Sequence, residues 1–568
     1  MSLPLARPLP PAPTPEQLAA ADPALSAFVS ASAGSGKTQV LTDRVIRLLL
    51  AGARPERILC ITYTKAAAGE MANRIIERLA ELATTDSRRR EAILRRLLDR
   101  EPTGNERTQA LRLFADVLDA PGGLRIQTIH AFCQSVLRRF PVEAEIAPHF
   151  TVIDERTQSE LLAEAKRSVM RAPGPALQQA IALLTRRINE VQVDGLMAGL
   201  AGSSGRLRAA YDAHGGREGL IRRIRALLGL AEEEGVASAW RRVVVDPEMN
   251  EAGLARAAQV LVEHGTKSAR ERGVAIRAFL ASNADARVAA AETYLDQWLT
   301  RTREPRAPGG LASNAAYAAD PGLADVLLAE QERVLRCWHR ICACETAEAT
   351  AALIMVADRI LAAYERMKRA RAVLDYEDLI TRTARLLSER DRAPWVLYKL
   401  DGGLDHVLID EAQDTNYPQW EIVGRIADEF FAEEAGGRRS LFAVGDVKQS
   451  IFSFQGADPD AFVAANSRFR QLAEQARRDW ANLQLDRSFR STGPVLAAVD
   501  AVFAPGMPAT DGLGLSQGEV LRHRLTREGH AGLVELWPLI TVEGAEEREP
   551  WRPPVEPEPG ETPKARLA

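Results

Sequence analysis

A glycine-rich loop between an apolar strand and a helix constrains the fold of this chain more than any other feature. Residues 31–38 read Ala-Ser-Ala-Gly-Ser-Gly-Lys-Thr; 27–30 resemble a short buried strand, and 39–51 carry apolar residues at helical spacing. Glycines let backbone N–H groups turn toward an anion, and the helix presents its positive N-terminus to it. The pattern predicts that Lys37 reaches the β- and γ-phosphates of a nucleotide and that the Thr38 hydroxyl binds Mg2+. The predicted phosphate contacts are Ala31, Ser32, Ala33, Gly34, Ser35, Gly36, Lys37 and Thr38.

A second strand end carries two adjacent carboxylates. The apolar run 406–409 is followed by Asp410 and Glu411. Ligands bind at the carboxyl ends of strands in open parallel sheets, so Asp410 is predicted to hold Mg2+ and Glu411 to orient and deprotonate an attacking water. The alternatives are a loop that binds nothing and a solvated Asp–Glu pair, and the two motifs together make both alternatives weak. Lys37 and Asp410 are 373 residues apart, which requires a large insertion.

Apolar strands alternate with helices in two parts of the chain and are missing between them. The predicted strands are 27–30, 58–63, 124–129, 406–410 and 441–445. Residues 153–370 are rich in Ala, Leu, Arg and Glu and are predicted to be helical. Continuous apolar strands alternating with helices indicate a parallel sheet covered on both faces. The predicted fold class is therefore α/β, with a helical domain inserted between two halves of the sheet domain.

The amino-acid composition excludes only a few classes of protein. Five cysteines cannot form a disulfide framework, no apolar run is long enough to span a bilayer, and the Pro-rich N-terminus lacks a signal-peptide core, so we expect a cytoplasmic protein with no membrane partner. Only eight of the 73 basic residues are lysine, and three of those, Lys37, Lys65 and Lys448, lie in motifs. Clustered Cys337, Cys342 and Cys344 match no metal-ligand spacing and are interpreted as buried helix residues.

Further motifs follow in the order found in a known family. They are Thr14–Gln17, Thr62–Met71, Gln127–Phe132, Asp410–Asp414, Val444–Ala457 and Leu485–Ser491. With these residues the chain resembles the UvrD-like DNA helicases of superfamily one, and within them the AddA subunit of bacterial AddAB helicase–nucleases. The resemblance covers about residues 14–500.

The resemblance implies a RecA-like parallel sheet domain of a P-loop NTPase, with a large helical insertion and an incomplete second RecA-like domain. The expected domains are a flexible N-terminus at 1–13, the first half of the first motor domain at 14–154, the helical insertion at 155–355, the second half of the first motor domain at 356–480, the start of a second motor domain at 481–543 and a Pro/Glu-rich linker at 544–568.

The resemblance also implies roles around ATP. Gln17 would read adenine and Phe489 would stack on it, while Gln39 stands where many members have an adenine-sandwiching arginine. Gln413 and Gln449 would sense the γ-phosphate, and Arg490 would contact it from the second motor domain. For Gln17 the alternative is a helix-surface residue, and for Arg490 a surface cation. The implied catalytic residues are Lys37, Asp410, Glu411, Gln449 and Arg490.

Contacts to single-stranded DNA are implied at six positions. Three offer rings on which bases can stack, and three are small hydroxyl donors suited to phosphates. The alternatives are core aromatics at Tyr63 and Phe454 and a loop histidine at His130. The six residues are Tyr63, His130 and Phe454 for stacking and Thr64, Thr128 and Ser450 for phosphates.

The implied function is an ATP-dependent 3′–5′ DNA helicase or translocase in double-strand-break repair. It would use ATP and Mg2+, act on single-stranded DNA and duplex DNA ends, and pair with an AddB-type nuclease subunit. The later family motifs and the nuclease domain are not found in the sequence, so if it is the whole polypeptide we expect weak hydrolysis. A non-enzymatic ATP- and DNA-binding fragment, and a UvrD-type repair helicase without a nuclease partner, are the alternatives.

Overall fold

The computed structural model describes residues 12–202, 204–389, 391–401, 403–431, 439–450, 457–510, 522–526 and 529–537. The chain divides into two compact units, one made of 1–145 and 379–568 and the other of 146–378. The predicted insertion at 155–355 falls within the second unit. Phe454 and the predicted linker at 544–568 lie outside the described residues.

One parallel sheet organises the first unit. Numbered along the chain, its six strands are β1 (Ser26–Ala31), β2 (Ile58–Thr62), β3 (Arg125–Thr128), β6 (His406–Ile409), β7 (Ser440–Gly445) and β8 (Trp480–Leu485). Their order across the sheet is β3-β2-β6-β7-β1-β8, and every pairing is parallel. This arrangement confirms the predicted α/β class with a parallel sheet.

Helices cover both faces of this sheet. On one face Val29, Phe442 and Val444 share a core with apolar residues of the helices that follow β1 and β2. On the other face the Phe28 ring lies 4.5 Å from Phe462, centroid to centroid. The helices are α1 (Pro15–Ala20), α2 (Lys37–Leu50), α3 (Lys65–Thr84), α4 (Ser87–Leu98), α5 (Gly104–Asp119), α6 (Ile129–Arg139), α20 (Tyr376–Leu386), which crosses the division between units, α21 (Ala393–Asp401), α22 (Tyr417–Phe430), α23 (Pro459–Gln475) and α24 (Gly493–Val502).

Five of the six strands match predicted apolar runs, and β8 was missed. Its sequence, Trp-Ala-Asn-Leu-Gln-Leu, mixes polar and apolar residues because it is an edge strand with one neighbour and is only partly buried. The boundary placed at 480/481 falls at the beginning of this strand and stays a prediction. After β8, Arg487–Ser488 (β9) pairs with Arg524–Leu525 (β10).

The second unit is almost entirely helical. A two-stranded parallel ladder joins β4 (Thr151–Val152) to β5 (Val373–Leu374), and the 49-residue helix α19 (Leu323–Arg371) contributes to both of its apolar cores. None of the helices in the described ranges combines the length and the apolar composition that crossing a bilayer requires. The other helices are α7 (Glu155–Met170), α8 (Pro175–Thr185), α9 (Glu190–Ala201), α10 (Ser204–His214), α11 (Arg217–Leu227), α12 (Val236–Val244), α13 (Glu251–His264), α14 (Lys267–Ala281), α15 (Ala284–Ala289), α16 (Ala291–Trp298), α17 (Pro308–Leu311) and α18 (Asn314–Ala319).

Candidate nucleotide site

The predicted motifs follow the carboxyl ends of the six strands. The glycine-rich loop follows β1, the acidic pair follows β6, and the segment 446–450 follows β7. Because all six strands are parallel, these ends meet at one edge of the sheet. The topology therefore gathers motifs that are hundreds of residues apart into one region.

The loop has a backbone that only glycine adopts readily. Gly34 and Gly36 have φ values of +75° and +86°, and Gly36 caps the N-terminus of α2. A Cβ at Gly36 would lie 3.0 Å from Gln17 Nε2. The buried Ser35 hydroxyl has no hydrogen-bond partner among the described residues. A buried polar atom without a partner is uncommon, and an anion in the loop would supply one.

Lys37 and Glu411 meet despite their separation in sequence. The Lys37 Nζ donates to Glu411 Oε2 over 3.0 Å, and the two side chains are 11% and 35% exposed. Glu411 has φ +50°, the left-handed region that non-glycine residues rarely occupy. Its backbone N–H also donates to Asp410 Oδ1 over 3.0 Å. The positive φ of Glu411 thus occurs at the residue whose carboxylate contacts the loop lysine and whose N–H contacts the other acid.

The acids around Lys37 are poised to receive a cation. Burial, and then the charge of Glu411, raises the pKa of Asp410 to about 6, and the same two causes raise the pKa of Asp414 to about 6. Asp414 Oδ1 is buried without a partner among the described residues. Negative charge at this site therefore exceeds what Lys37 neutralises.

A Mg2+ ion bound together with a phosphate would suit this excess of negative charge. Among the described residues, no group of three or more His, Cys, Asp or Glu side chains is arranged to hold a metal ion by itself. Mg2+ beside a nucleotide needs only one or two protein oxygens, since water and phosphate supply the rest. Thr38 at the start of α2 and Asp410 after β6 are suited to that smaller donor set.

Gln413 connects the acidic motif to the end of β7, and Gln449 lies in the segment that follows β7. Gln413 Nε2 donates to Glu411 Oε2 over 2.8 Å, and its Oε1 accepts from the Asp446 backbone N–H over 2.8 Å. Gln449 Nε2 donates to Asp446 Oδ2 over 2.6 Å. Gln413 is only 1% exposed, so its orientation is fixed by these contacts. The structure brings both predicted glutamines beside the carboxylates.

Gln17 and Gln39 lie on the other side of the loop. Gln17 is buried; its amide completes a capping box with Thr14 and donates to the Ser35 carbonyl over 2.8 Å. Exposed Gln39 donates to Asp43 Oδ1 over 2.7 Å. Both line a small cavity with Pro13, Val40, Asp43, Arg78, Arg96 and Leu97.

The segment after β8 lies directly on the loop. The Phe489 backbone N–H donates to the Gly34 carbonyl over 2.9 Å. A Cβ added at Gly34 would lie 2.7 Å from Arg490 Cβ, so the close approach requires glycine. Arg490 is exposed and Phe489 is half-buried.

The residues predicted to touch DNA follow other strand ends. Tyr63 and His130 are half-buried, and burial lowers the pKa of His130. The hydroxyls of Thr64 and Thr128 cap α3 and α6, accepting from the N–H of the third residue of each helix. Thr64 is exposed and Thr128 is buried. Ser450 donates to the Gln413 carbonyl over 3.4 Å, and Phe454 lies outside the described residues.

Sequence reasoning missed three groups at this site: Asp414, Asp446 and Lys448. Asp414 and Asp446 lie inside the motifs Asp410–Asp414 and Val444–Ala457, which give neither of them a role of its own. Lys448 was noticed for its rarity and given no role. Its ammonium donates to Ser32 Oγ over 2.8 Å. No local pattern could have predicted a contact that spans 416 residues.

Comparisons with known proteins identify the family of the chain. A family model described as the UvrD/REP helicase N-terminal domain matches residues 14–470. Curated relatives, each named as the AddA subunit of an ATP-dependent helicase/nuclease, include those of Enterococcus faecalis (28% identical), Pelotomaculum thermopropionicum (27%) and Lactobacillus helveticus (26%). Each match covers 84% of this chain but only 37–38% of the relative, so the chain spans well under half the length of these proteins.

Proposed function

Because the chain belongs to the UvrD/REP helicase family, we propose that it is an ATP-driven motor on single-stranded DNA. One observation carries the proposal: the ammonium of Lys37 lies 3.0 Å from Glu411 at the carboxyl edge of the sheet. A phosphate-loop lysine beside two strand-end acids is the arrangement that ATP hydrolysis needs. The rest of the site supports it through the loop glycines and the partnerless Ser35 hydroxyl.

In this proposal the protein groups share the work of hydrolysis. Lys37 exchanges Glu411 for phosphate oxygens, which frees the Glu411 carboxylate to orient a water and accept its proton. Gln413 and Gln449 would couple the presence of the γ-phosphate to the end of β7. Arg490, which lies next to Gly34, would contact the γ-phosphate. Mg2+, held by Thr38 and Asp410, would neutralise charge between the β- and γ-phosphates when bound.

Different residues would bind the adenine of ATP and the bases of DNA. Gln17 and Gln39 line the cavity proposed for adenine, and Phe489, whose backbone N–H donates to the Gly34 carbonyl, would stack on the base. On the DNA side, bases would stack on Tyr63, His130 and Phe454 at about 1–3 kcal/mol each. Thr64, Thr128 and Ser450 would meet phosphates. Since the hydroxyls of Thr64 and Thr128 already accept hydrogen bonds as helix caps, they would donate to the DNA.

The wider role is proposed from the relatives' name. That name describes one subunit of an ATP-dependent helicase/nuclease. By that likeness we propose a 3′–5′ motor that processes DNA ends in double-strand-break repair, with an AddB-type nuclease subunit, in the cytoplasm. The domain boundaries given above belong to the same proposal.

Steady-state ATP hydrolysis with and without single-stranded DNA tests the motor. We expect turnover that rises when DNA is added and is abolished by Lys37→Ala. A matched control is Lys399→Ala. The Lys399 ammonium lies over the Trp395 ring on α21 and not in the phosphate loop. Binding of ATP and DNA without turnover would instead support a non-enzymatic module.

A further inference from the structure

Lys448 occupies an unusual place for a lysine. It lies in the short turn 447–449 after β7, its side chain is 13% exposed, and its Nζ donates to Ser32 Oγ over 2.8 Å. Ser32 is the first residue of the phosphate loop after β1. The ammonium therefore lies at the mouth of the loop, on the side of the acidic strand ends.

The ammonium lacks the carboxylate hydrogen bonds that normally accompany buried lysines. Its other close neighbour is the His523 Nε2, at 3.5 Å, and the nearest Asp446 oxygen is 3.8 Å away. The two Asp446 oxygens already accept from the Gln449 amide and from the Lys448 backbone N–H. Among the described residues, the Lys448 ammonium thus has Asp446 as an ion-pair partner at 3.8 Å but no carboxylate within hydrogen-bonding distance.

A histidine and its acid hold the lysine in this position. His523 Nδ1 lies 2.5 Å from Asp500 Oδ1, and this contact orients the ring with Nε2 toward the Lys448 ammonium. Burial lowers the pKa of Lys448, the charges of Asp446 and Asp500 oppose that shift, and the Lys37 ammonium adds to it. Two ammonium groups directed at one loop repel each other unless an anion lies between them.

We propose that Lys448 is a second phosphate-binding lysine of the nucleotide site and contacts the terminal phosphate of a bound nucleoside triphosphate. The α- and β-phosphates are cradled by the later part of a phosphate loop and the start of its helix. Ser32 lies at the opposite end of the loop, beside the strand ends that carry Asp410 and Asp446. An ammonium bound there meets the far end of the polyphosphate. The inference rests on the proposed function, since it needs a triphosphate in the loop.

Comparing triphosphate with diphosphate binding tests this role. Competition titrations would measure the affinity of the full chain for a slowly hydrolysed ATP analogue and for ADP, in wild type, Lys448→Met and Lys399→Met. We expect Lys448→Met to weaken the ATP analogue about tenfold or more, as loss of a hydrogen bond between charged groups implies, and to leave ADP nearly unchanged. Lys399→Met removes the same charge from α21 and should change neither affinity.

A second measurement uses the unaltered protein, in case the variant fails to fold. Mass spectrometry after amine acylation can follow each of the eight lysines. We expect the ATP analogue, and not ADP, to protect Lys448, while Lys399 reacts equally in both.

Each of the following results would overturn the inference. Unchanged analogue binding by Lys448→Met, or equal losses for both nucleotides, would show that Lys448 does not contact the terminal phosphate. Equal acylation of Lys448 with and without the analogue would do the same. A wild-type chain that binds neither nucleotide would overturn the proposed function as well, so the two failures are distinguishable.

Discussion

Each unit contains a lysine beside carboxylates, and the two clusters differ in how far their own side chains satisfy one another. In the second unit, Lys368 Nζ lies 2.9 Å from Asp375, 2.7 Å from Asp378 and 2.6 Å from Glu365, and its side chain is 3% exposed. In the first unit, Lys37 has one carboxylate at 3.0 Å and lies beside a buried hydroxyl with no partner among the described residues.

The difference separates a structural ion cluster from a binding site. Tyr364 donates to Asp375 over 2.8 Å and lies under the Lys368 ammonium, so that cluster is enclosed by its own side chains. Around Lys37 the charges do not balance, and burial raises the pKa of two of the acids. A satisfied cluster stabilises the fold, whereas an unsatisfied one marks a place for a ligand.

Removing Lys37 should give the largest effect, on activity alone. We expect Lys37→Met to lower ATP turnover by about 100-fold or more, because a charge that stabilises the transition state is lost. The free energy of unfolding should change by less than about 1 kcal/mol, since the pair is partly exposed. Phosphate release and urea unfolding measure the two quantities. A large loss of stability would mean that Lys37 is as structural as Lys368.

Removing Lys368 should do the reverse. We expect Lys368→Met to destabilise the chain by about 3–5 kcal/mol, because the buried carboxylates of Asp375 and Asp378 and the half-buried Glu365 lose their cation. Lys166→Met is a matched control in the same unit: its partners Glu190 and Asp194 are 82% and 54% exposed, so that pair should contribute little. Thermal unfolding that ranks the two variants equally would contradict the comparison.

His406 lies at the start of β6, away from the nucleotide site. It tests whether burial of a titratable side chain in the first unit changes the free energy of unfolding. Burial, and then the charge of Arg44, lowers its pKa from 6.5 to about 4. Between those values the unfolded chain binds more protons, so this contribution is complete above pH 6.5 and is lost as the pH falls to 4. We expect His406→Gln to lack this loss, which should reach about 2–3 kcal/mol. Urea unfolding of both proteins from pH 4 to 7 measures it, and parallel pH curves would refute it.

Substituting a glycine of the phosphate loop should have the smallest effect, and a glycine outside the loop serves as its control. Gly34 and Gly52 both have positive φ, but a Cβ at Gly34 would lie 2.7 Å from Arg490 Cβ, and at Gly52 nothing lies within 4 Å. Left-handed strain should cost each alanine variant about 1–2 kcal/mol of stability, and the contact with Arg490 should add to the loss at Gly34. Only Gly34→Ala should also weaken ATP binding. If Gly52→Ala weakens it equally, the contact at Gly34 has no special role.

The sequence predicted those parts of the fold that depend on local pattern. β2 and β7 were predicted because strands buried on both faces are continuously apolar. β8 was missed because it is only partly buried and mixes polar with apolar residues, so it shows no continuous apolar run. At the site, Lys37 and Glu411 were predicted from motif chemistry, and they do meet.

Other features of the site could not be predicted, because they depend on distant partners. The capping box formed by Thr14 and Gln17 is local, but the Gln17 contact with Ser35 arises from the packing of α1 against the loop. Likewise, the Lys448 contact with Ser32 exists only because β7 pairs with β1. Pairing between strands that are far apart in sequence leaves no periodic signal for either residue.

Isothermal titration of the wild-type chain with Mg2+ and a slowly hydrolysed ATP analogue tests the central claim most directly. The account predicts one binding event per chain that disappears in Lys37→Met and persists in Lys399→Met. No binding by the wild type, or equal binding by Lys37→Met, would contradict the claim that the loop lysine and the strand-end acids hold a nucleotide together.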